Sequence, residues 1–280
     1  MNTLLYIAWR PDEYLIHIGS AGIRWYGMCW LIGLALGFFM MKWLYKRHNY
    51  PDEKFGPLFL YMFISILAGA RLGHCLFYEP EYFLTSWDHV IEMIVPIKHL
   101  ANGSWTFSGY QGLASHGGVI GMLIGLSLYI HRMKMPTWVV LDFFGIVSGL
   151  TATFIRLGNL MNSEIIGKVT DMPWAFIFYK VDTYPRHPGQ LYEAIAYICF
   201  FAIIYFIYRR HPEKVGTGLF FGLCLTLIFT FRFFIEYTKE VQETFEAGLP
   251  IDMGQILSIP FIIIGLGAIR HSFKAKPTKV

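Results

Sequence analysis

The sequence predicts an all-α membrane protein of seven transmembrane helices, with the N-terminus outside and the C-terminus inside. Three observations predict it. Of 280 residues, 55% are apolar, 18% aromatic and only 15% charged, a balance foreign to soluble domains. Seven runs are long and apolar enough to cross a bilayer, which takes about 20 residues of helix. The basic residues gather in alternate loops, as the positive-inside bias requires.

The runs lie near 23–45, 56–78, 116–131, 136–160, 190–208, 216–237 and 251–270. The third is the shortest, because Lys134 and Pro136 cut it off. If the first run passes from outside to inside, the inner side receives Lys42, Lys46, Arg47, Lys54, Arg132, Lys134, Arg209, Arg210, Lys214, Arg270, Lys274, Lys276 and Lys279, which is 13 of the 23 Lys and Arg. The net charge of +4 is then largely topology and calls for no nucleic-acid partner. Residues 1–22 lack a basic leader and are broken by Arg10, Pro11, Asp12 and Glu13, so they read as an amphipathic entry along the outer surface and not as a cleaved signal. The whole of 1–280 reads as one polytopic membrane domain. Its long outer loops, 79–115 and 161–189, carry Trp, Tyr, Phe and Pro that suit the membrane interface. Cys29, Cys75, Cys199 and Cys224 fall in apolar runs without CxxC spacing, which points to packing and to neither disulfide nor metal.

Placed by depth, the polar residues inside the runs converge. Tyr26, Arg71, His116, Arg156 with Asn159, Gln190 with Glu193, and Arg232 with Glu236 all fall in the outer halves of six different spans. Charges inside a membrane are expensive, and structural ones would have no reason to choose one leaflet. Each has an ordinary reading taken singly. Arg232 and Glu236 have the i, i+4 spacing of a structural ion pair, Arg156 could snorkel to headgroups, Arg71 in "GARLG" could be a neutralised packing residue, and Tyr26 could anchor the aromatic belt. Gly117 and Gly118 after His116 allow close helix packing. Asp142, deeper in its run, reads as a structural hydrogen-bonding group. The conjunction favours one outer-leaflet cavity in which arginines with Asn, His and Tyr receive an anion of several oxygens, since guanidinium forks match phosphate. At that depth the abundant phosphate belongs to a phospholipid headgroup, and Glu164 and Glu236 would hold the arginines in place.

"RLGNLMNSEIIG" at 156–167 resembles the signature of the prolipoprotein diacylglyceryl transferases, approximately G-R-x-G-N-F-x-N-x-E-x-x-G, with Arg156, Gly158, Asn159, Asn162, Glu164 and Gly167 in register. "GARLGHCLFY" at 69–78, "SHGGVIG" at 115–121, "RHPGQLYEA" at 186–194 and "RFFIEY" at 232–237 are similar to four further motifs of that family, in the same order. Ile155 and Leu160 depart from the usual Gly and Phe, and Ile228 stands where some members have Tyr.

The resemblance implies transfer of the diacylglyceryl group of phosphatidylglycerol to the lipobox cysteine of a prolipoprotein signal peptide, forming a thioether and releasing glycerol 1-phosphate in the bacterial inner membrane. Carried over residue by residue, His116, Arg156 and Arg232 would be catalytic, His116 as base on the thiol or as hydrogen-bond donor and the arginines on the leaving phosphate. Tyr26, Arg71, Asn159, Glu164, Gly167, His187, Glu193 and Glu236 would bind or orient the substrates. No metal or cofactor is implied, because arginines can neutralise the phosphate. Lipid would enter sideways through an opening between helices, beside the docked signal peptide. A transporter for an anionic solute would also use buried arginines, but it needs polar groups toward both faces. An intramembrane serine protease would rest on Ser108 in "WTFSGYQG", which lacks the first glycine of a G-x-S-G setting.

Overall fold

In the computed structural model, residues 6–18, 21–95, 97–100, 104–107, 112–240 and 251–275 are described. Ser108, Lys276 and Lys279 lie outside them. Every predicted run is helical: α1 (Trp25–Arg47), α2 (Asp52–Phe77), α5 (Ser115–Met133), α6 (Thr137–Asn162), α7 (Gly189–Arg210), α8 (Leu219–Ile235) and α9 (Met253–Ser272). Six of these helices are long and apolar enough to span a membrane. Helix α5 is not among them, for His116, His131 and Arg132 dilute its apolar stretch. Short helices α3 (Pro80–Phe83) and α4 (Trp87–Ile94) follow α2. Large side chains such as Phe59, Phe63 and Ile64 of α2, and Ile263, Ile264 and Leu266 of α9, are exposed, as helices surrounded by lipid tails allow.

The segments between the long helices contain strands that the sequence did not announce. β1 (Ile7–Trp9), β2 (Tyr14–Ile18) and β3 (Ala21–Arg24) precede α1, β4 (Ile97–His99) and β5 (Trp105–Phe107) follow α4, and β6 (Phe176–Phe178) and β7 (Pro185–Arg186) precede α7. β1 runs parallel to β6, which pairs antiparallel with β7. Two antiparallel pairs, β2 with β3 and β4 with β5, complete the set.

The chain divides into two compact units, Met1–Leu44 with Thr137–Val280, and Tyr45–Pro136. In the second unit α2 and α5 meet backbone to backbone: a Cβ at Gly73 would stand 2.7 Å from the Gly117 Cα, and one at Gly69 would stand 2.7 Å from the Gly121 Cα. Small residues permit this approach, which takes the place of a hydrophobic driving force in lipid. At one end of this unit buried Tyr129 donates to the Lys54 carbonyl at 2.8 Å, and its hydroxyl lies 2.8 Å from that of buried Tyr45.

In the first unit α6 is the central helix. Gly33 and Gly37 of α1 fit against Phe154 and Thr151, Gly145 against the Phe220 carbonyl of α8, and Gly149 against the Tyr197 carbonyl of α7. Trp9 donates to the Leu160 carbonyl at 2.9 Å, tying β1 to the end of α6 over a cluster of Leu160, Phe176 and Phe178. Fully buried Asp142 accepts from the amides of Gly216, Gly218 and Phe221 at 2.8, 2.9 and 3.0 Å. It thereby satisfies donors at the start of α8 that no helix turn could satisfy, the structural role its position suggested. Asp142→Ala should lower stability by about 3 kcal/mol or more, since buried amides left without acceptors cost about 1–3 kcal/mol each. Thermal unfolding of the purified protein in detergent measures this, and an unchanged midpoint contradicts it.

Candidate active site

The end of α6 presents Arg156 and Asn159 one turn apart, and the helix stops at Asn162. Ser163 and Ile165 then take left-handed backbone angles, with φ 58° and 55°. For a β-branched residue such as Ile165 that is a strained conformation, which the surroundings must hold. Gln190, fully buried at the start of α7, donates its amide to the Glu164 carbonyl. Bent back by this turn, the Glu164 carboxylate accepts from Asn159 at 3.1 Å and from Asn162 at 3.0 Å. Asn159 in turn accepts from an Arg156 terminal nitrogen at 3.4 Å. Glu164 therefore reaches Arg156 through an amide and not as its direct ion partner, because the left-handed turn takes it off the helix face.

The direct partner is Glu193. Its Oε2 lies 3.0 Å from Arg156 Nε, with the carboxylate wholly buried and the arginine side chain 14% exposed. Oε1 receives Lys239 Nζ at 3.1 Å and the Tyr197 hydroxyl at 3.2 Å. Lys239 also donates to Glu236 Oε2 at 3.0 Å, so four charges alternate in sign in one chain. The Arg232–Glu236 pair suggested by i, i+4 spacing is replaced here. Helix α8 gives way to a tighter 3-10 turn, Glu236–Thr238, in which the i+3 residue lies beneath the carboxylate. Arg232 is half-buried and has no acidic partner among the described residues, which leaves its guanidinium available to an anion.

Backbone hydrogen bonds knot three segments beside this network. Gly167 donates to the His187 carbonyl at 2.9 Å, His187 to Lys168 at 3.0 Å, Lys168 to Thr238 at 2.8 Å, and Glu240 to Ile166 at 3.2 Å. A Cβ on Gly167 would lie 2.5 Å from both the Cβ and the carbonyl oxygen of His187, and 2.7 Å from the Thr238 oxygen. His187 turns its ring to the Tyr192 hydroxyl at 3.2 Å. Buried Arg186 locks the same knot, bonding Asp182 at 2.9 and 2.5 Å, the Gly167 carbonyl at 3.2 Å, and Glu240.

The hydrogen bonds from Arg186 hold the Asp182 carboxyl below its ordinary value of 3.8, and burial lowers the His187 imidazole from its ordinary 6.5. Both groups bind protons more readily in the unfolded chain, so both make stability fall on acidification. The His187 contribution is complete above pH 6.5 and declines as the pH passes below it. That of Asp182 is complete above pH 3.8 and is lost as the pH falls through its lower folded value. The unfolding midpoint should thus fall from neutrality toward about pH 3, and Asp182→Asn should flatten the acid end of the curve. Midpoints that hold constant over that whole range would count against this.

Tyr26, half-buried in the first turn of α1, lies against Gly158: a Cβ there would be 3.2 Å from its ring. It therefore stands beside Asn159 and the Arg156 turn. Within the first unit the structure thus gathers Tyr26, Arg156, Asn159, Glu164, Gly167, His187, Glu193, Arg232 and Glu236 at the linked ends of α6, α7 and α8. In the second unit His116 is exposed in the first turn of α5. Arg71 there is buried over the Phe83 ring and donates to the Met93 and Glu92 carbonyls at 3.3 and 2.9 Å, clasping the end of α4. Sequence reasoning missed Lys239, a basic residue just after α8 with no local spacing to Glu193. The signal that could have found it is its place three residues after Glu236.

The family model described as prolipoprotein diacylglyceryl transferase matches residues 13–270. Among curated proteins the chain is 52% identical to a phosphatidylglycerol–prolipoprotein diacylglyceryl transferase of Bacteroides fragilis over 265 residues, covering 95% of each chain. It is 42% identical to the protein of that name from Tolumonas auensis, over 96% of this chain and 98% of the other. A Porphyromonas gingivalis protein of the same name is 38% identical over 98% and 97%.

Proposed function

Since the chain belongs to the prolipoprotein diacylglyceryl transferase family, we propose that Arg156 and Arg232 receive the phosphodiester of phosphatidylglycerol while its diacylglyceryl group passes to a prolipoprotein. The protein is a transferase of the first step of lipoprotein maturation. The acceptor is the lipobox cysteine of the signal peptide, so this chain needs no reactive thiol of its own. A sulfur–carbon bond forms at the glyceryl carbon as that carbon's bond to phosphate oxygen breaks. The thiol proton leaves to a base, and glycerol 1-phosphate departs carrying the charge of the broken bond.

The observation that carries the assignment of roles is the state of the two arginines. Arg156 is ion-paired at Nε with the Glu193 carboxylate at 3.0 Å, a charge contact without a hydrogen bond, and donates a terminal nitrogen to Asn159, which leaves further donors of the fork. Arg232 has no competing acid among the described residues. Preset donors aimed at developing negative charge are the strongest kind of electrostatic catalysis. Tyr26, Asn159, Glu164, Gly167, His187, Glu193 and Glu236 position this receptor. His116 acts on the thiol as base or as hydrogen-bond donor, and Arg71 serves substrate binding through the segment around α4 that it holds. Helix α5 counts as the seventh span, the N-terminus faces outward, the C-terminus faces inward, and the site opens sideways to the outer leaflet of the bacterial inner membrane. The gathering of the arginines, with His116, Glu193 and Glu236, in the outer halves of the spans is the sequence feature that favours this over an anion transporter.

The test combines purified protein in detergent with phosphatidylglycerol and a short lipobox peptide, following released glycerol phosphate and peptide mass. The expected result is a gain of one diacylglyceryl group for each phosphate released. Folded protein that yields neither product would overturn the reading and make anion uptake in liposomes the next assay.

A further inference from the structure

Lys239 is 4% exposed, yet nothing in the reaction as described uses it. Its ammonium bridges Glu193 Oε1 at 3.1 Å and Glu236 Oε2 at 3.0 Å, while the other oxygen of Glu193 lies 3.0 Å from Arg156 Nε. Four residues, Arg156, Glu193, Lys239 and Glu236, thus sum to zero charge in a protected site. The Glu236 carboxylate packs against Gly254, where a Cβ would stand 2.5 Å from its Cδ, so the absence of a side chain there makes room for it. Without the ammonium, the two carboxylates would outweigh Arg156 by one charge. A guanidinium in such surroundings holds a carboxylate well and attracts a phosphodiester poorly.

We infer that Lys239 is a positioning residue which draws off the charge of Glu193 and Glu236 and so keeps Arg156 available to an incoming phosphate. The idea rests on the assignment of Arg156 as phosphate receptor, and it makes phosphate affinity depend on the charge of the network. Lys239→Met sets that charge to −1, Glu236→Gln to +1, and the double variant to zero. A merely structural lysine would not produce an order that follows charge, nor a rescue on removing Glu236.

The measurement is isothermal titration of inorganic phosphate into the purified full chain in detergent, with thermal midpoints recorded for each variant. Affinity should fall about tenfold in Lys239→Met and rise by about the same factor in Glu236→Gln, as a unit charge roughly 6 Å away implies where water screens most of its Coulomb energy. The double variant should return to near the wild-type value. Equal affinities throughout, or a loss in Lys239→Met that Glu236→Gln does not relieve, would overturn the inference. If Lys239→Met does not fold, Glu236→Gln decides by itself, and an unchanged or weakened affinity overturns it. Diacylglyceryl transfer by the wild type, assayed on the same preparation, separates the two ideas: transfer with no charge order removes only the role of Lys239, and charge order without transfer removes only the reaction.

Discussion

Arg156→Lys should reduce kcat/KM for diacylglyceryl transfer about a hundredfold or more while the protein accumulates in the membrane normally. Lysine keeps the charge and can still meet Glu193, so the buried carboxylate is not stranded. What disappears is the planar fork: one ammonium cannot hold Glu193 through one nitrogen, reach Asn159 through a second and offer the remainder to phosphate, as Arg156 does. Removing one preset donor from such a receptor typically costs about 10²–10³ in turnover, and arginine and lysine are not equivalent where bidentate geometry matters. Steady-state kinetics with phosphatidylglycerol, normalised to immunoblotted protein, measures the effect. Full activity in the Arg156→Lys variant would remove the phosphate clamp. Arg156→Ala is the poorer experiment, because breaking a buried pair costs about 3–5 kcal/mol in its own right.

Gly167→Ala should be as damaging by a different route. The added methyl meets backbone on two sides, with the His187 carbonyl at 2.5 Å and the Thr238 oxygen at 2.7 Å, and backbone cannot rotate aside as a side chain can. Overpacking of this kind costs about 1–3 kcal/mol and occasionally more, and here it also pries apart the strand-like contact between Gly167 and Lys239. Stability should drop by about 3 kcal/mol, the upper part of that range, and activity should fall even in the fraction that remains folded, because Lys239 and Glu236 move with that contact. The variant's unfolding midpoint, together with its specific activity at low temperature, tests both halves. A Gly167→Ala protein that stayed stable and active would show the knot to be more compliant than its distances allow.

The helices were legible in the sequence because apolar runs of membrane length carry their own signal. The run placed at 136–160 is α6 at Thr137–Asn162, and that at 190–208 is α7 at Gly189–Arg210. The third run was legible as a helix, but its histidines and arginine hold its apolarity below that of the six others. Strands β1 and β6 were not legible: Ile7–Trp9 and Phe176–Phe178 are three residues each, too short for alternation to register, and each gains its ladder only from the other. The residues gathered at the ends of α6, α7 and α8 could be named one by one from the sequence, but their pairing could not. Glu193 and Lys239 are 46 positions apart, and no local spacing reports such a contact. Arg232 and Glu236 had a spacing that did report one, and the change from α-helix to 3-10 turn cancelled it. The turn at Ser163 and Ile165 likewise moved Glu164 from the arginine to the asparagines, and neither residue is of a type that announces a positive φ.

The glycine seam between α2 and α5 bears on how the protein is made. Helix α5, with its polar ends and modest apolarity, partitions less readily into the bilayer than its neighbours when it leaves the ribosome alone. Helix α2 is already synthesised by then and exposes, at Gly69 and Gly73, the bare backbone on which Gly117 and Gly121 rest. Helix α5 is therefore expected to take its place as a passenger on α2. A bulky residue at Gly73 should appear first as a defect of biogenesis, with α5 left accessible to a protease or a thiol label, before any catalytic step is reached.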